Sequence, residues 1–548
     1  MTTLVDRIER AAEGPGSVTF VTGGRTEPVS WARLHDDARA VAARLQCEHD
    51  IGPSSHVALL GPTSRPLVTA IQATWLTGAT VVVLPLPMRL GSIDEFVGQT
   101  RARIRNADAS LIVIDPDLAA FVEPQPNGPP IVLLDALTTG PTMPYQRPAV
   151  APDDLAILQF TSGSTADPKG VMLPHDRVIA NLDAAVQAAG IDPATDVAVS
   201  WLPLYHDMGL IGLLTIPMIT GLDLVLAGPQ DFMAAPARWL EWLSAFGGTV
   251  TAGPNFSYAL AARALGRGAD LDLSRWRIGL NGAEPVDPST VEAFCAAGAR
   301  FGLNPRAVFC AFGMAEVTIA GTFPQPGTGM VVDAIERRVL ETDRYAAPAD
   351  PRAETTRRFA RLGRAVPGLE IRVCDPESGR PMGAREVGEL EIRGTSVTPG
   401  YFKHPRATAT AFRDGGWLRT GDLAYQVDGE LVVCGRIKDV IIVGGRNVFP
   451  EDVERAVAAV DGVRAGNVIA FGVEGRRGRE GVVVVCETKA DDDGPVRDEV
   501  AKRVRQAVGL PPHEVVLVDA GSLPKTSSGK LQRWLCRSRY LNAELVVR

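Results

Sequence analysis

Apolar positions along the chain follow two periods. His56–Leu60, Thr80–Leu84, Ser110–Ile114 and Leu155–Phe160 are short continuous apolar runs, the pattern of strands buried on both faces. Between them Trp31–Leu45 is Ala-rich with apolar residues at helical spacing, and residues 1–16 read as a short amphipathic helix. The alternation predicts βαβ units on a parallel sheet across residues 1–150, with the Pro-rich segment Pro124–Pro152 as a connection. Past Phe160, Val178, Leu182, Ala185 and Val186 share one stripe and predict a helix. Thr251–Phe256, Ile278–Pro285 and Ala311–Glu316 each close an apolar run with a Gly-containing turn, the place where open α/β sheets bind ligands.

The pattern changes at Gly327. Residues 327–362 are charged and Ala/Pro-rich with little strand alternation, and predict a surface insertion. Gly363–Gly435 reads as short strands with turns. Beyond Lys438 the pattern resets to a compact α+β module: helix Pro450–Val460, strands near Val468 and at Val482–Cys486, helix Val496–Val508 and strand Val515–Val518. The expected division is 1–436 and 437–548.

Composition narrows the function classes. A chain of 548 residues needs more than one core. The net charge of −8 speaks against nucleic acid as the main partner. Seven cysteines lie scattered with no C-x-x-C pair, most of them in apolar runs, which fits small core residues in a reducing cytoplasm. The N-terminal residues carry acids and no long apolar core, unlike a signal peptide. The most membrane-like stretch, Met208–Gly228, is interrupted by Pro217, Gly221 and Asp223, and predicts a buried helix followed by strand Leu222–Leu226.

Candidate chemistry centres on Leu158–Val171, LQFTSGSTADPKGV. Thr161, Ser162, Gly163, Ser164 and Thr165, with Lys169 after them, offer hydroxyl and backbone donors on a turn expected between strand and helix, a way to hold phosphate oxygens. The loop is not a Walker A sequence, and alone it could be an ordinary polar loop. Basic residues give a second pointer. Only seven of 56 are lysines, so a retained lysine marks a place for a compact ammonium; Lys169, Lys438, Lys525 and Lys530 all fall in motif-like stretches. Ser200–Gly209, SWLPLYHDMG, sets His206 and Asp207 at the mouth of an apolar helix, either as the lip of a pocket or as a helix cap beside a structural histidine.

Taken in order, SWLPLYHDMGLIG, GPNFSYAL, NGAEPV, FGMAEVT, TGDL, GRIKDVIIVGGRNVFPEDVE and PKTSSGKLQR resemble the adenylate-forming superfamily over almost the whole chain, and within it the fatty acyl-AMP ligases. The resemblance implies an α/β fold: a large N-terminal domain of doubly wound sheets with a small β-barrel-like subdomain, then a small mobile α+β C-terminal domain. It implies that a carboxylic acid attacks the α-phosphate of ATP·Mg²⁺, giving acyl-AMP and pyrophosphate, and that the acyl group passes to the phosphopantetheine thiol of an acyl carrier protein. The phosphate grip falls to residues 161–165 and Lys169, and the magnesium to Glu316. Phe312 is expected to stack on adenine, where many relatives carry Tyr, with Gly282, Ala283 and Gly313 bordering the nucleotide. Asp422 and Arg436 are expected at the ribose, His206 at the carboxylate end of the acyl tunnel, Lys530 as the catalytic cation, and Lys438 at the hinge. Lys525 is expected to be solvated. Two other readings stay open: an acyl- or aryl-CoA ligase using free CoA, and a catalytically silent scaffold. Residues 437–548 carry 18 basic and 16 acidic side chains, so this module is slightly basic on an otherwise acidic chain and could face an acidic carrier.

Overall fold

The computed structural model describes residues 2–87, 93–160, 168–266, 270–443, 446–474, 480–526 and 530–548. Among them, six strands form a sheet in the order Ile131–Leu133, Leu111–Ile114, His56–Leu60, Thr80–Val83, Leu155–Phe160, Gly170–Pro174, parallel except for the last pair. A second sheet has the order Val308–Cys310, Ile278–Asn281, Val250–Gly253, Val197–Ser200, Asp223–Ala227, Ser17–Thr22, Arg25–Ser30, again parallel but for its final pair. The central strands are buried along their whole length, which is why they read as unbroken apolar runs rather than alternating ones. Both sheets contribute to one continuous core, through Val57, Leu59 and Val81 on one side and Val199 and Leu224 on the other.

Three expectations are corrected. First, the hydroxyl-rich turn does not join a strand to a helix. Leu155–Phe160 pairs antiparallel with Gly170–Pro174, with Phe160 opposite Gly170, and the helix His175–Ala189 starts only after that second strand. Val171 and Leu173 are fully buried, and Gly170 lets the strands close up: a Cβ there would lie 2.8 Å from Leu158 Cδ1. Second, the Pro-rich connection contains an edge strand, Ile131–Leu133, and a short helix, Leu134–Thr139, which buries Leu134 and Leu137. Third, residues 327–362 are not a featureless surface segment. Val332–Glu336 and Thr356–Ala360 form an antiparallel pair around the helix Arg337–Asp343, and Ile335, Leu340 and Phe359 are buried with Tyr425 and Phe449. The charge pattern hid this because Asp333, Glu341 and Arg357 are buried too, held by ion pairs instead of water.

The next part of the chain is antiparallel: Leu369–Cys374, Gly388–Gly394 and Trp417–Val427, with Phe412–Arg413 and Glu430–Arg436 both paired to the third. Beyond it, Val463–Glu474, Glu480–Thr488 and Glu514–Asp519 form a sheet whose two apolar faces are covered by helices Pro450–Ala458 and Asp493–Val508 on one side and Arg533–Leu541 on the other. These two clusters draw only on residues from Ile441 onward. Among the described residues no helix is long and apolar enough to cross a membrane.

Candidate active site

The turns at the ends of the parallel strands converge with Lys530 of the C-terminal module. After Val197–Ser200 the chain runs through Trp201–Asp207 into a π-helix, Met208–Thr215. Its wider turn is tolerated where Gly209 packs against the preceding loop; a Cβ there would meet Pro203 O at 2.2 Å. Asp207 caps this helix through the Met208 N–H at 2.7 Å, as a helix-cap reading expects. Its Oδ1 also lies 2.6 Å from His206 Nδ1. On the other ring face, His206 Nε2 meets Lys530 Nζ at 3.5 Å, across 324 positions of sequence.

Lys530 is held against Thr526. Its N–H donates to Thr526 Oγ1 at 3.1 Å, its carbonyl accepts from Thr526 N–H at 2.7 Å, and Lys525 bridges to Leu531. Burial pulls the Lys530 ammonium below the ordinary lysine range, against the support of Asp207 and Glu284, and Arg436 adds to the downward pull. Burial pushes the Asp207 carboxyl up, but His206, Lys530 and the Met208 N–H outweigh it and hold the group below its ordinary value. Glu284, in the turn after Ile278–Asn281, accepts from the Phe256 N–H at 2.7 Å; burial raises it, with that bond and Lys530 opposing. Lys525 is not the solvated lysine that was expected: it is half-buried and donates to Asn467 Oδ1 at 2.7 Å.

A second group gathers around Glu316. Tyr401 Oη donates to Glu316 Oε1 at 2.9 Å, and Lys169 Nζ sits 5.4 Å over the Tyr401 ring. Burial raises the Glu316 carboxyl, with Tyr401 and Arg436 opposing. Thr318, two residues on, has φ 78° and ψ −61°, a three-residue turn strained for a β-branched side chain, and it is fully buried with Oγ1 donating to Ser396 O at 3.1 Å. Among the described residues no cluster of three or more metal-ligating side chains occurs. One half-buried carboxylate suits a hard cation such as Mg²⁺ that takes most of its ligands from phosphates and water.

Asp422 and Arg436 face each other across neighbouring strands, with Arg436 Nε 3.1 Å from Asp422 Oδ1. Asp422 is buried, which raises its carboxyl against the pull of Arg436, Thr420 and Lys438; Asp422 in turn raises Arg436. Lys438 lies in a single turn directly after, at Ile437–Asp439, and burial lowers its ammonium. Gly282 and Ala283 follow Ile278–Asn281, Ala283 with φ 68°, and Gly282 packs close to Ala311 O. Phe312 lies against Gly321. Gly313 has a backbone reason to be glycine, since a Cβ would stand 1.9 Å from Ile319 O at the bulge between Phe312–Gly313 and Ala320–Phe323. Gly313→Ala should therefore lower stability by about 1–3 kcal/mol through overpacking, read as a fall in Tm; an unchanged Tm would show that the bulge relaxes freely.

Thr161, Ser162, Gly163, Ser164 and Thr165 lie outside the described residues, as do Ser527, Ser528 and Gly529. The other expected residues fall into the groups above, linked electrostatically by Arg436, which acts on Asp422, Glu316 and Lys530. Sequence reasoning missed Tyr401 and Glu284. Tyr401 is 85 positions from Glu316 and no local pattern announces it; Glu284 stood in view in NGAEPV, where only its neighbours drew attention.

A last set of contacts joins residues 327–362 to the C-terminal module. Arg357 is 3% exposed, and its guanidinium lies 2.9 Å from Asp452 Oδ1 and 4.3 and 4.5 Å from the ring centres of Phe359 and Phe449. Arg446 pairs with Glu341 at 3.4 Å, and Asn447 Nδ2 donates to Glu341 O at 3.0 Å.

Residues 8–402 match the AMP-binding enzyme family. The chain is 40% identical over 526 residues to Rv1013 of Mycobacterium tuberculosis, a protein described only provisionally as a ligase; the match covers 94% of this chain and 95% of the other. It is 32% identical to the medium-chain-fatty-acid–[acyl-carrier-protein] ligase JamA of Moorena producens, over 96% and 92% of the two chains. A solved fatty acyl-adenylate ligase structure, from work on the E. coli and L. pneumophila enzymes, superposes with a TM-score of 0.92 at 31% identity, covering 99% of this chain and 98% of that one. The chain belongs to the AMP-binding enzyme family and is an adenylate-forming ligase, similar along its length to the fatty acyl-AMP ligases.

Proposed function

We propose that the protein activates a fatty or related carboxylic acid with ATP to acyl-AMP and pyrophosphate, and then transfers the acyl group to the phosphopantetheine thiol of an acyl carrier protein in the cytoplasm. In this reading residues 161–165 and Lys169 hold the β- and γ-phosphates, and Glu316 holds the Mg²⁺ that neutralises them. Phe312 stacks on adenine, with Gly282, Ala283 and Gly313 at its border. Asp422 accepts from the ribose hydroxyls, and Arg436 approaches from the other side. Lys530 binds the substrate carboxylate and the α-phosphate oxygens together, aligning two anions and stabilising charge as it builds. His206 marks the carboxylate end of the acyl site. Residues 437–548 act as a domain that pivots about Lys438 between the two half-reactions, a few backbone dihedrals absorbing the change.

The observation that carries the choice of acceptor is the buried Arg357–Asp452 pair, which ties residues 327–362 to the module while Lys530 stands at His206. A module held this way is restrained in the adenylating arrangement, and a large docked carrier is better suited than a small free thiol to pull it over. The name of JamA, whose acceptor is a carrier protein, supports the same choice. The test supplies ATP, Mg²⁺ and a panel of fatty acids with either CoA or a phosphopantetheinylated carrier. Acyl-AMP should accumulate with CoA, and thioester should form on the carrier; rapid release of acyl-CoA would rule the reading out.

A further inference from the structure

The two nitrogens of His206 have different neighbours, and the chemistry of those neighbours fixes where the proton sits. Nδ1 lies 2.6 Å from Asp207 Oδ1, and an ionised carboxylate only accepts, so Nδ1 carries a proton. The Met208 N–H lies 2.7 Å from Asp207 Oδ1 and 3.3 Å from His206 Nδ1; the shorter contact is to the carboxylate oxygen, which can accept from both groups. Nε2 faces Lys530 Nζ at 3.5 Å, and an ammonium only donates. Nε2 must then present its lone pair. The opposite tautomer would set N–H against ammonium and lone pair against carboxylate, two repulsive contacts in a site shielded from water.

We infer that Asp207, besides capping the π-helix, is a positioning residue for the adenylation step: it fixes the His206 tautomer whose Nε2 receives Lys530 when the C-terminal module docks. This rests on the functional reading above, which gives Lys530 its task. Asp207 touches no substrate and forms no bond of its own in the reaction. The charged groups that face the trio are Glu284 from the turn after Ile278–Asn281, Arg436 from the end of Glu430–Arg436, and Glu316. The Asp207 carboxyl titrates below its ordinary value despite burial, so its charge, and the bias it imposes, persist across the neutral range.

Asp207→Ala is the informative change. The Met208 N–H and His206 Nδ1 meet the same oxygen, Oδ1, so an asparagine would still offer both of them an acceptor; alanine removes that oxygen and leaves the imidazole tautomer unbiased. The experiment labels histidine with ¹⁵N in the full-length protein and assigns His206 by the resonances lost in His206→Gln. The wild type should show Nδ1 protonated and Nε2 bare; Asp207→Ala should show a mixture of the two tautomers. In ATP–pyrophosphate exchange Asp207→Ala should lose about 10²-fold in kcat, with KM for ATP changed by less than about twofold. A wild-type His206 protonated on Nε2 would overturn the inference, and so would a variant whose kcat stays within about threefold of wild type. The wild-type spectrum decides even if the variant fails to fold. It also needs no substrate, so a wild type silent in exchange with every acid would strike the functional reading while the spectrum still judged this one.

Discussion

With Lys530 replaced by alanine, ATP–pyrophosphate exchange should fall by about 10²–10³-fold, roughly the 3–4 kcal/mol carried by one preorganised charge donor in a water-poor site. ATP binding, measured separately, should change little, because the residues proposed to hold its phosphates, metal and ribose belong to other parts of the chain. Glutamine at the same place should rescue little, since a neutral amide cannot neutralise two approaching anions. The pH profile carries an independent check. Lys530 must be charged to act, burial favours its neutral form, and deprotonation follows rising pH; the alkaline limb should therefore fall below the ordinary lysine value of about 10.4. Removing Lys530 should remove that limb. Adenylate synthesis at near wild-type rate in Lys530→Ala would defeat the mechanism even with the fold intact.

Arg357→Ala carries the second large effect, and it falls on stability and on acceptor choice together. The guanidinium is buried between two phenyl rings and paired with Asp452, so truncation leaves that carboxylate with only the longer contact to Arg455 at 3.8 Å. Losing one member of a buried pair costs about 3–5 kcal/mol, which should appear as a lower Tm or as earlier release of the C-terminal module in hydrogen exchange. Replacing both members, Arg357→Met with Asp452→Leu, should recover most of the stability, since no charge is left unpaired. If the clasp restrains the module, both variants should also form acyl-CoA more readily than the wild type. Recovered stability with no gain in CoA use would separate the clasp from acceptor choice and assign it to folding alone.

The elements that sequence read well share one property: their side chains report burial without help from distant residues. The strands at His56–Leu60 and Leu155–Phe160 are apolar because both sheet faces are covered, so their bounds were legible residue by residue. The C-terminal helices and strands announced themselves in the same way. Residues 327–362 failed that test for a physical reason. Arg357, Asp333 and Glu341 are buried, but their cost is met by partners tens of positions away, and a linear reading takes such charges for solvent-exposed ones. The strand Gly170–Pro174 was missed because, at five residues ending in proline, it resembles a loop until its antiparallel neighbour is in place.

At the site the division is similar. The order of the motifs, through the family resemblance it carries, singled out Lys530, His206, Glu316, Asp422 and Arg436 as candidates. What each of them faces was a matter of folding. The meeting of Lys530 with His206, the donation from Tyr401 to Glu316 and the burial of Lys525 against Asn467 all join positions 58 to 324 apart. Periodicity and local motifs record which faces of an element avoid water, and so they determined the sheets, the helices and the roster of chemical groups. Charge pairing depends on short distances in three dimensions, and only the packing of the modules against one another decided which cation meets which anion.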